Sequence, residues 1–274
     1  MTTDDPGGQR PMQAAVGTAL RTLPLKAMDP SLLYFAVVHE GADLGIDVAQ
    51  LTTAMQIAAY LHRDDTRSSR KDLPVDVYVT HPFRLVLRLV RYGCRDGTVL
   101  CAAALHDTVE DHPDELVALL DVPPAAASAG PGGPAERLAR AFGPDVARIV
   151  TAVTNPTPPD GRTQQERHAA YQAHVAEVIA DPQVFLVKLA DFVDNAGSLR
   201  YLVDDARRVR LERKYAPLVP VFRSAFEAHR AALPVGAEGL ARIDRHLAGL
   251  EALAKPIPIG RPAVGAPTAP DTTS

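Results

Sequence analysis

The pattern of apolar positions between about residues 28 and 254 is typical of helices. Apolar residues recur mostly at spacings of three and four, good helix formers such as Ala, Leu and Arg dominate, and alternating β-branched runs are scarce. Helices are predicted at 29–41, 47–62, 81–92, 97–111, 113–120, 134–142, 144–153, 163–180, 183–202, 205–231 and 236–253. The pattern therefore predicts one all-α domain of many helices over residues 28–254.

Three stretches lack this periodicity. Residues 1–27 and 255–274 are rich in Pro, Gly, Ala and Thr, which predicts flexible ends. Residues 121–134, DVPPAAASAGPGGP, contain four prolines and no residues suited to a core. This segment is predicted to be a surface insertion between two helices and not a domain boundary.

Composition and charge narrow the class of protein. The 274 residues are 46% hydrophobic and 23% charged, as in an ordinary globular protein, and the net charge of −4 disfavours nucleic acid as a partner. Cys94 and Cys101 form neither a disulfide framework nor a CxxC pair. The longest purely apolar run, Val99 to Leu105, is seven residues, against about 20 for a membrane-spanning helix. We therefore expect a cytoplasmic protein without a membrane span. The sequence does not indicate the oligomeric state.

The first sign of chemistry is an abrupt change within GTVLCAAALHDTVED, residues 97–111. An apolar helix with three consecutive alanines ends in His106, Asp107, Glu110 and Asp111. Carboxylates this close repel one another unless a cation lies among them, and histidine nitrogen with carboxylate oxygen suits a divalent ion such as Mn²⁺, Fe²⁺ or Zn²⁺. The alternative is a solvated helix end before Pro113.

A second sign lies in the apolar helix within residues 181–202. Lys188, Asp191 and Asn195 share a narrow polar stripe on it, at spacings of three and four. A carboxylate on such a helix costs several kcal/mol unless it is paired or bound to a metal. The alternative is a surface salt bridge between Lys188 and Asp191.

A third sign is YVTHP, residues 78–82, in which His81 and Pro82 open an amphipathic helix that ends near Gly93. Upstream, Arg70 and Lys71 are two cations with no matching helical face. Taken alone, this segment is typical of a solvated loop.

Taken together, these segments resemble the HD-superfamily hydrolase domain of the RelA/SpoT homologues, and in particular its small, single-domain alarmone hydrolases. The resemblance covers about residues 47–231 and rests on RKD at 70–72, YVTHP at 78–82, ALHDTVED at 104–111, KLAD with a following Asn at 188–195, and KYAPL at 214–218. It implies an all-α HD-domain metallohydrolase fold. It also implies Mn²⁺-dependent removal of the 3′-pyrophosphate of guanosine 3′,5′-bis(pyrophosphate), ppGpp, or of pppGpp, to give GDP or GTP and pyrophosphate. Because about 40 residues follow position 231, a nucleotide pyrophosphokinase domain like that of the long members is not expected.

The resemblance also implies roles for individual residues. One Mn²⁺ per chain, or another divalent metal, would be held by His81, His106, Asp107 and Asp191. The catalytic acidic pair would be Glu110 and Asp111. The nucleotide substrate would be contacted by Arg70, Lys71, Asn195, Ser198 and Tyr215, although Tyr215 also fits a core aromatic with a solvated hydroxyl.

The sequence departs from the family pattern at two positions, and it leaves alternatives open. Val77 stands where the family has proline, and Asn155 stands where it has lysine, which removes one possible phosphate contact. The helix near 29–41 and the insertion at 121–134 have no counterpart in the minimal hydrolase. The substrate could instead be an adenine alarmone, ppApp, or the 2′-phosphate of NADPH. A non-catalytic HD nucleotide sensor is a further alternative, and such a protein would be expected to lack Glu110 or Asp111.

Overall fold

The computed structural model describes residues 6–67, 76–121, 132–157 and 159–254. Its α-helices are α1 (Pro6–Thr22), α2 (Pro30–Asp43), α3 (Val48–Leu61), α4 (Thr80–Arg91), α5 (Gly97–Leu105), α6 (Thr108–Asp111), α7 (Pro113–Leu120), α8 (Pro134–Phe142), α9 (Pro144–Val153), α10 (Gln164–Val178), α11 (Pro182–Ala196), α12 (Asp205–Tyr215), α13 (Leu218–His229) and α14 (Ala237–Ala254). Within the described ranges, extended pairing is limited to an antiparallel bridge between Thr66 and Val77. The all-α prediction is confirmed.

Helices α5 and α11 lie in the interior and carry the polar side chains of the candidate site. Every residue from Val99 to Leu105 of α5 is buried, as is every residue from Val184 to Asp194 of α11. Helix α5 packs against α3, α4, α9 and α11. Its three consecutive alanines, 102–104, have small side chains, so the neighbouring helices can approach closely. Polar groups at the end of α5 therefore emerge deep inside the protein.

The N-terminal region differs from the sequence prediction. The composition predicts a flexible end through residue 27, whereas residues 6–22 form α1 and Leu25–Ala27 form a short 3₁₀ helix. Leu20 is buried in the core, and Arg91 of α4 donates to its carbonyl oxygen at 3.0 Å. The glycines and prolines near the start of α1 obscure this anchoring through Leu20.

Two predicted long helices are each broken. The helix predicted at 97–111 is interrupted at His106 and Asp107, where Thr108 Oγ1 donates to the carbonyl oxygen of Leu105 at 2.7 Å and competes with the backbone. The helix predicted at 205–231 is interrupted between α12 and α13 at Pro217, which has no backbone N–H to donate.

The predicted surface insertion falls mostly on residues 122–131, outside the described ranges, as do residues 1–5 and 255–274. Arg137 of α8 pairs with Asp121 and so joins the two flanks of this segment. The helices of the described residues include none that is both long and apolar enough to span a membrane.

Helix α14 closes the fold against the end of α4. Gly239 lies over the carbonyl of Tyr92, where a Cβ atom would come within 1.8 Å of the carbonyl oxygen. On the same face of contact, Tyr92 Oη and His246 Nδ1 are 2.6 Å apart. The close approach of these helices therefore requires glycine at position 239.

Candidate active site

Three elements distant in sequence bring His81, His106 and Asp191 together. They come from the start of α4, the turn after α5 and the middle of α11, and one nitrogen or oxygen atom of each lies within 4.8 Å of the others. His81 Nε2 is 3.2 Å from Asp191 Oδ1. All three residues are buried, and together they form a compact potential metal site.

The hydrogen bonds behind the two histidines fix which nitrogen faces the site. His81 Nδ1 is 2.9 Å from Asp194 Oδ2, and His106 Nδ1 is 3.0 Å from the carbonyl oxygen of Ala103. Because an ionised carboxylate and a carbonyl can only accept, each Nδ1 donates, and each neutral ring presents the lone pair of Nε2 to the site. Both Nε2 atoms can therefore bind the same metal ion.

His106 Nε2 is buried and has no hydrogen-bond partner among the described residues. It lies 2.9 Å from Asp107 Oδ2 but without the geometry of a hydrogen bond. Two nitrogen lone pairs that face the carboxylates of Asp107 and Asp191 form a donor set that a divalent cation completes. The residues present therefore fit a divalent metal.

Asp107 lies at the edge of this cluster. Its Oδ2 is 3.8 Å from His81 Nε2 and accepts a hydrogen bond from Tyr78 Oη at 2.6 Å. Burial lowers the pKa of His106, but the negative charges of Asp107 and Asp191 outweigh burial and raise this pKa to about 8. The surroundings thus favour a positive charge here, on the imidazole or on a bound ion.

Sequence reasoning missed Asp194, which is fully buried one turn beyond Asp191 on α11. Besides His81, its carboxylate contacts four cations: Lys26 at 2.8 Å and Arg67, Arg84 and Arg88 at 3.1 Å each. Burial alone would raise the pKa of Asp194, but the charges of Lys26 and Arg84 hold it well below its usual range. The argument that a carboxylate on an apolar helix needs a partner applies to Asp194 as much as to Asp191, and it could have revealed this residue.

A cavity of about 220 Å³ adjoins the cluster and is lined by Asn195, Ser198 and Tyr215, three of the predicted substrate residues. Asn195 Nδ2 donates to Asp191 Oδ1 and links the cavity to the metal cluster. Tyr215 is buried, with its ring centroid 6.1 Å from that of Phe192, so it is a core aromatic as well as part of the cavity wall.

Two arginines, Arg67 and Arg207, line this cavity, and the sequence analysis singled out neither. Arg67 donates to Asn195 Oδ1 and pairs with Asp194. Arg70 and Lys71, the predicted substrate cations, lie outside the described residues. The backbone bonds around the Thr66–Val77 bridge hold Arg67 in place, and pairing of this kind leaves no signal in local periodicity.

The two residues of the predicted acidic pair, Glu110 and Asp111, lie in different environments. Glu110 accepts hydrogen bonds from Asn155, at 2.9 Å from the backbone nitrogen and 3.0 Å from Nδ2. Asp111 lies near Asp107 and Glu110. Partial burial and the negative charges of these two residues raise the pKa of Asp111 to about 6. Both carboxylates lie beside the cluster without belonging to it.

Glu110 also lines a larger cavity of about 790 Å³ whose wall carries Arg162, Arg167 and Lys214. Within the described part of the chain, none of these three cations forms an ion pair with a carboxylate. Lys214 Nζ instead lies 4.1 Å from the centroid of the Tyr171 ring. This cavity is therefore suited to an anion.

The alternative for α11 is wrong: Lys188 is buried and donates to Asn155 Oδ1 at 3.3 Å, so it makes no surface salt bridge with Asp191. The alternative of a solvated helix end before Pro113 is correct only in part. Glu110 and Asp111 are exposed, whereas His106 is 3% exposed. Asn155, at the position of the family's lysine, connects Lys188 with Glu110.

Comparison with known proteins places these observations in a family. The chain matches the HD domain over residues 54–218. It is 32% identical over 158 residues to guanosine-3′,5′-bis(diphosphate) 3′-pyrophosphohydrolase MESH1 of Mus musculus, a match that covers 57% of this chain and 73% of that protein.

Longer relatives match through a part of their length. The GTP pyrophosphokinase of Streptomyces coelicolor is 31% identical, over 62% of this chain and 17% of that protein. The bifunctional (p)ppGpp synthase/hydrolase SpoT of Escherichia coli is 28% identical, over 62% and 21%. The chain thus spans about a fifth of the length of these relatives. A solved structure of a metazoan orthologue of SpoT aligns with 25% identity and a TM-score of 0.48, over 73% of this chain and 95% of that one.

The resemblance to the hydrolase domain of the RelA/SpoT homologues is confirmed by these matches. The matched range contains His81, His106, Asp107 and Asp191. The chain belongs to the HD domain family.

Proposed function

We propose that the protein hydrolyses the 3′-pyrophosphate of ppGpp and pppGpp, releasing pyrophosphate and GDP or GTP. The observation that carries this proposal is the buried cluster in which two imidazole Nε2 atoms face Asp107 and Asp191, beside two cavities lined by cations. The names of the Mus musculus relative and of a relative from Aquifex aeolicus, both guanosine-3′,5′-bis(diphosphate) 3′-pyrophosphohydrolase, support the same activity.

His81, His106, Asp107 and Asp191 would hold one divalent ion, and we propose Mn²⁺. Two imidazoles and two carboxylates leave positions of a six-coordinate ion open for water and a phosphate oxygen. Such an ion would polarise the phosphoryl group and lower the pKa of the water that attacks it. Asp194 would keep the His81 ring in the orientation and tautomer that this requires.

The acidic pair would supply the proton acceptor. Water adds to the phosphorus atom bonded to O3′ and gives its proton to Asp111 or Glu110. The O3′–P bond breaks, and that proton is passed on to O3′, which leaves as the 3′-hydroxyl group. A carboxylate whose pKa is about 6 is a better base near neutral pH than an ordinary one. The bonds from Asn155 would hold Glu110 on the side of the phosphate cavity.

The two cavities would bind different parts of the nucleotide. Arg67, Asn195, Ser198 and Tyr215 would contact the nucleoside portion, next to the metal ligands. Arg162, Arg167 and Lys214 would neutralise phosphate groups in the larger cavity. Arg70 and Lys71 are further proposed contacts. We also propose a cytoplasmic location, where GDP and GTP are available.

The experiment that tests this proposal compares ppGpp, ppApp and NADPH in parallel, at one salt concentration and with Mn²⁺ present. We expect release of pyrophosphate from ppGpp with the highest kcat/KM. If phosphate is released from NADPH and ppGpp is not hydrolysed, the substrate is NADPH and the proposal is wrong. Tight binding of ppGpp without turnover would instead identify a sensor.

A further inference from the structure

A second group of potential metal ligands lies outside the cluster described above. His62 Nδ1 is 2.8 Å from Asp65 Oδ2, and His112 Nε2 is 2.7 Å from the same oxygen. The three ligand atoms lie within 4.8 Å of one another. His62 follows α3, Asp65 lies in the turn after it, and His112 joins α6 to α7, so three separate backbone segments converge on one point.

We propose that His62, Asp65 and His112 bind a second divalent ion, of which Zn²⁺ is the best fit. Two imidazole nitrogens and one carboxylate oxygen form a donor set of zinc that leaves a fourth position for water. His62 is 1% exposed, whereas the side chains of His112 and Asp65 are 21% and 36% exposed. The group is therefore closed on the side of the core and open to an ion on the side of solvent.

The surroundings of His112 resemble those of a metal-bound histidine. Its other ring nitrogen, Nδ1, lies 3.8 Å from Glu115 Oε2, and Arg63 holds Glu115 through a contact of 2.7 Å. A carboxylate on the side of the distal nitrogen is common behind metal-bound histidines, and its negative charge favours a cation on the ring. Without metal, both rings can donate to Asp65, so the test must distinguish an ion-binding site from a hydrogen-bonded group.

The second group is separate from the first but touches it through Tyr78. The His62 ring stacks on Tyr78 with centroids 4.6 Å apart, and the backbone nitrogen of Tyr78 donates to the carbonyl oxygen of Asp65 at 3.0 Å. Tyr78 Oη in turn donates to Asp107. An ion on Asp65 would therefore fix the turn that holds Tyr78 against the first cluster.

The test counts Zn²⁺ equivalents by calorimetric titration of the metal-free, full-length chain. The wild type is expected to bind two. A variant with Asp191→Asn and His106→Gln, which empties the first cluster, should bind one, and His112→Gln added to it should abolish that binding. The proposal is overturned if the double variant binds no zinc, or if it still binds one equivalent after His112→Gln is added.

Two further variants keep the test decisive. Asp64→Asn changes a neighbouring carboxylate that is 87% exposed and is not one of the three ligands, so it should leave both equivalents in place. If the double variant fails to fold by circular dichroism, the comparison moves to the wild type and His112→Gln alone, where two equivalents should become one. Two equivalents retained in His112→Gln would refute the site.

Discussion

Asp194 Oδ2 lies 2.9 Å from His81 Nδ1 in the interior of the protein, and the same carboxylate contacts Lys26, Arg67, Arg84 and Arg88. One buried anion therefore orients a proposed metal ligand and holds four cations around it. Metal affinity and stability should both depend on it.

Asp194→Asn is expected to weaken Mn²⁺ binding about 10-fold to 100-fold, because the ring of His81 loses its charged partner. It should also destabilise the fold by about 3–5 kcal/mol, because the cations stay buried without their anion. Calorimetric titration and denaturant unfolding measure the two effects. Arg88→Met is the matched control, since Arg88 contacts Asp194 but not His81: it should lower stability and leave the affinity unchanged. Wild-type affinity in Asp194→Asn would show that the contact does not support the metal.

Arg67→Ala is expected to raise KM for ppGpp several-fold and to leave the bound metal in place, because Arg67 lines the cavity beside Asn195. Steady-state kinetics with ppGpp provide the measurement. Arg208→Ala removes an arginine that pairs with Asp205 and Glu212 on the surface of α12 and should not change KM. An equal KM in Arg67→Ala and Arg208→Ala would exclude Arg67 from the binding site.

Glu110→Gln and Asp111→Asn are each expected to retain the metal and to lower kcat on the order of 10²-fold, the usual scale for a general base. Metal analysis and single-turnover kinetics separate the two quantities. Loss of metal would identify the changed residue as a ligand. An unchanged kcat would show that the residue is an ordinary charge at a helix end with no catalytic role.

Gly239→Ala is expected to destabilise the protein by about 3 kcal/mol or more, because the added Cβ would meet the carbonyl oxygen of Tyr92 and displace α14. Gly249→Ala in the same helix has open space around the new Cβ, and it should be neutral or stabilising by up to about 1 kcal/mol. Thermal unfolding of both variants is the measurement. Equal melting temperatures would show that α14 does not pack on α4 as described.

The sequence predicted the helices and pointed to three of the four proposed ligands because these leave local signals, whereas His81 followed only from the family resemblance. An apolar run that ends in His106 and Asp107, and a carboxylate at position 191 of an apolar helix, violate the usual burial pattern and can be recognised without a structure. The all-α class follows from apolar spacing in the same way.

What the sequence did not reveal depends on contacts between distant segments. Lys26 reaches Asp194 across most of the chain, and Arg67 enters its cavity through the pairing of Thr66 with Val77. Arg67 and Arg70 are equivalent by local composition, so the spacing alone could not select the one that faces Asn195. The end of α1 is anchored by Leu20, whose burial against distant segments leaves no periodic pattern in the sequence.

The most direct test of the proposed hydrolysis follows the products of ppGpp by chromatography, with wild type and Asp191→Asn, each with Mn²⁺ and with chelator. The wild type with Mn²⁺ should release GDP and pyrophosphate in equal amounts, while chelator or Asp191→Asn, which removes a buried carboxylate 3.2 Å from His81 Nε2, should abolish release. Equal turnover by Asp191→Asn, or by the wild type in chelator, would contradict the account.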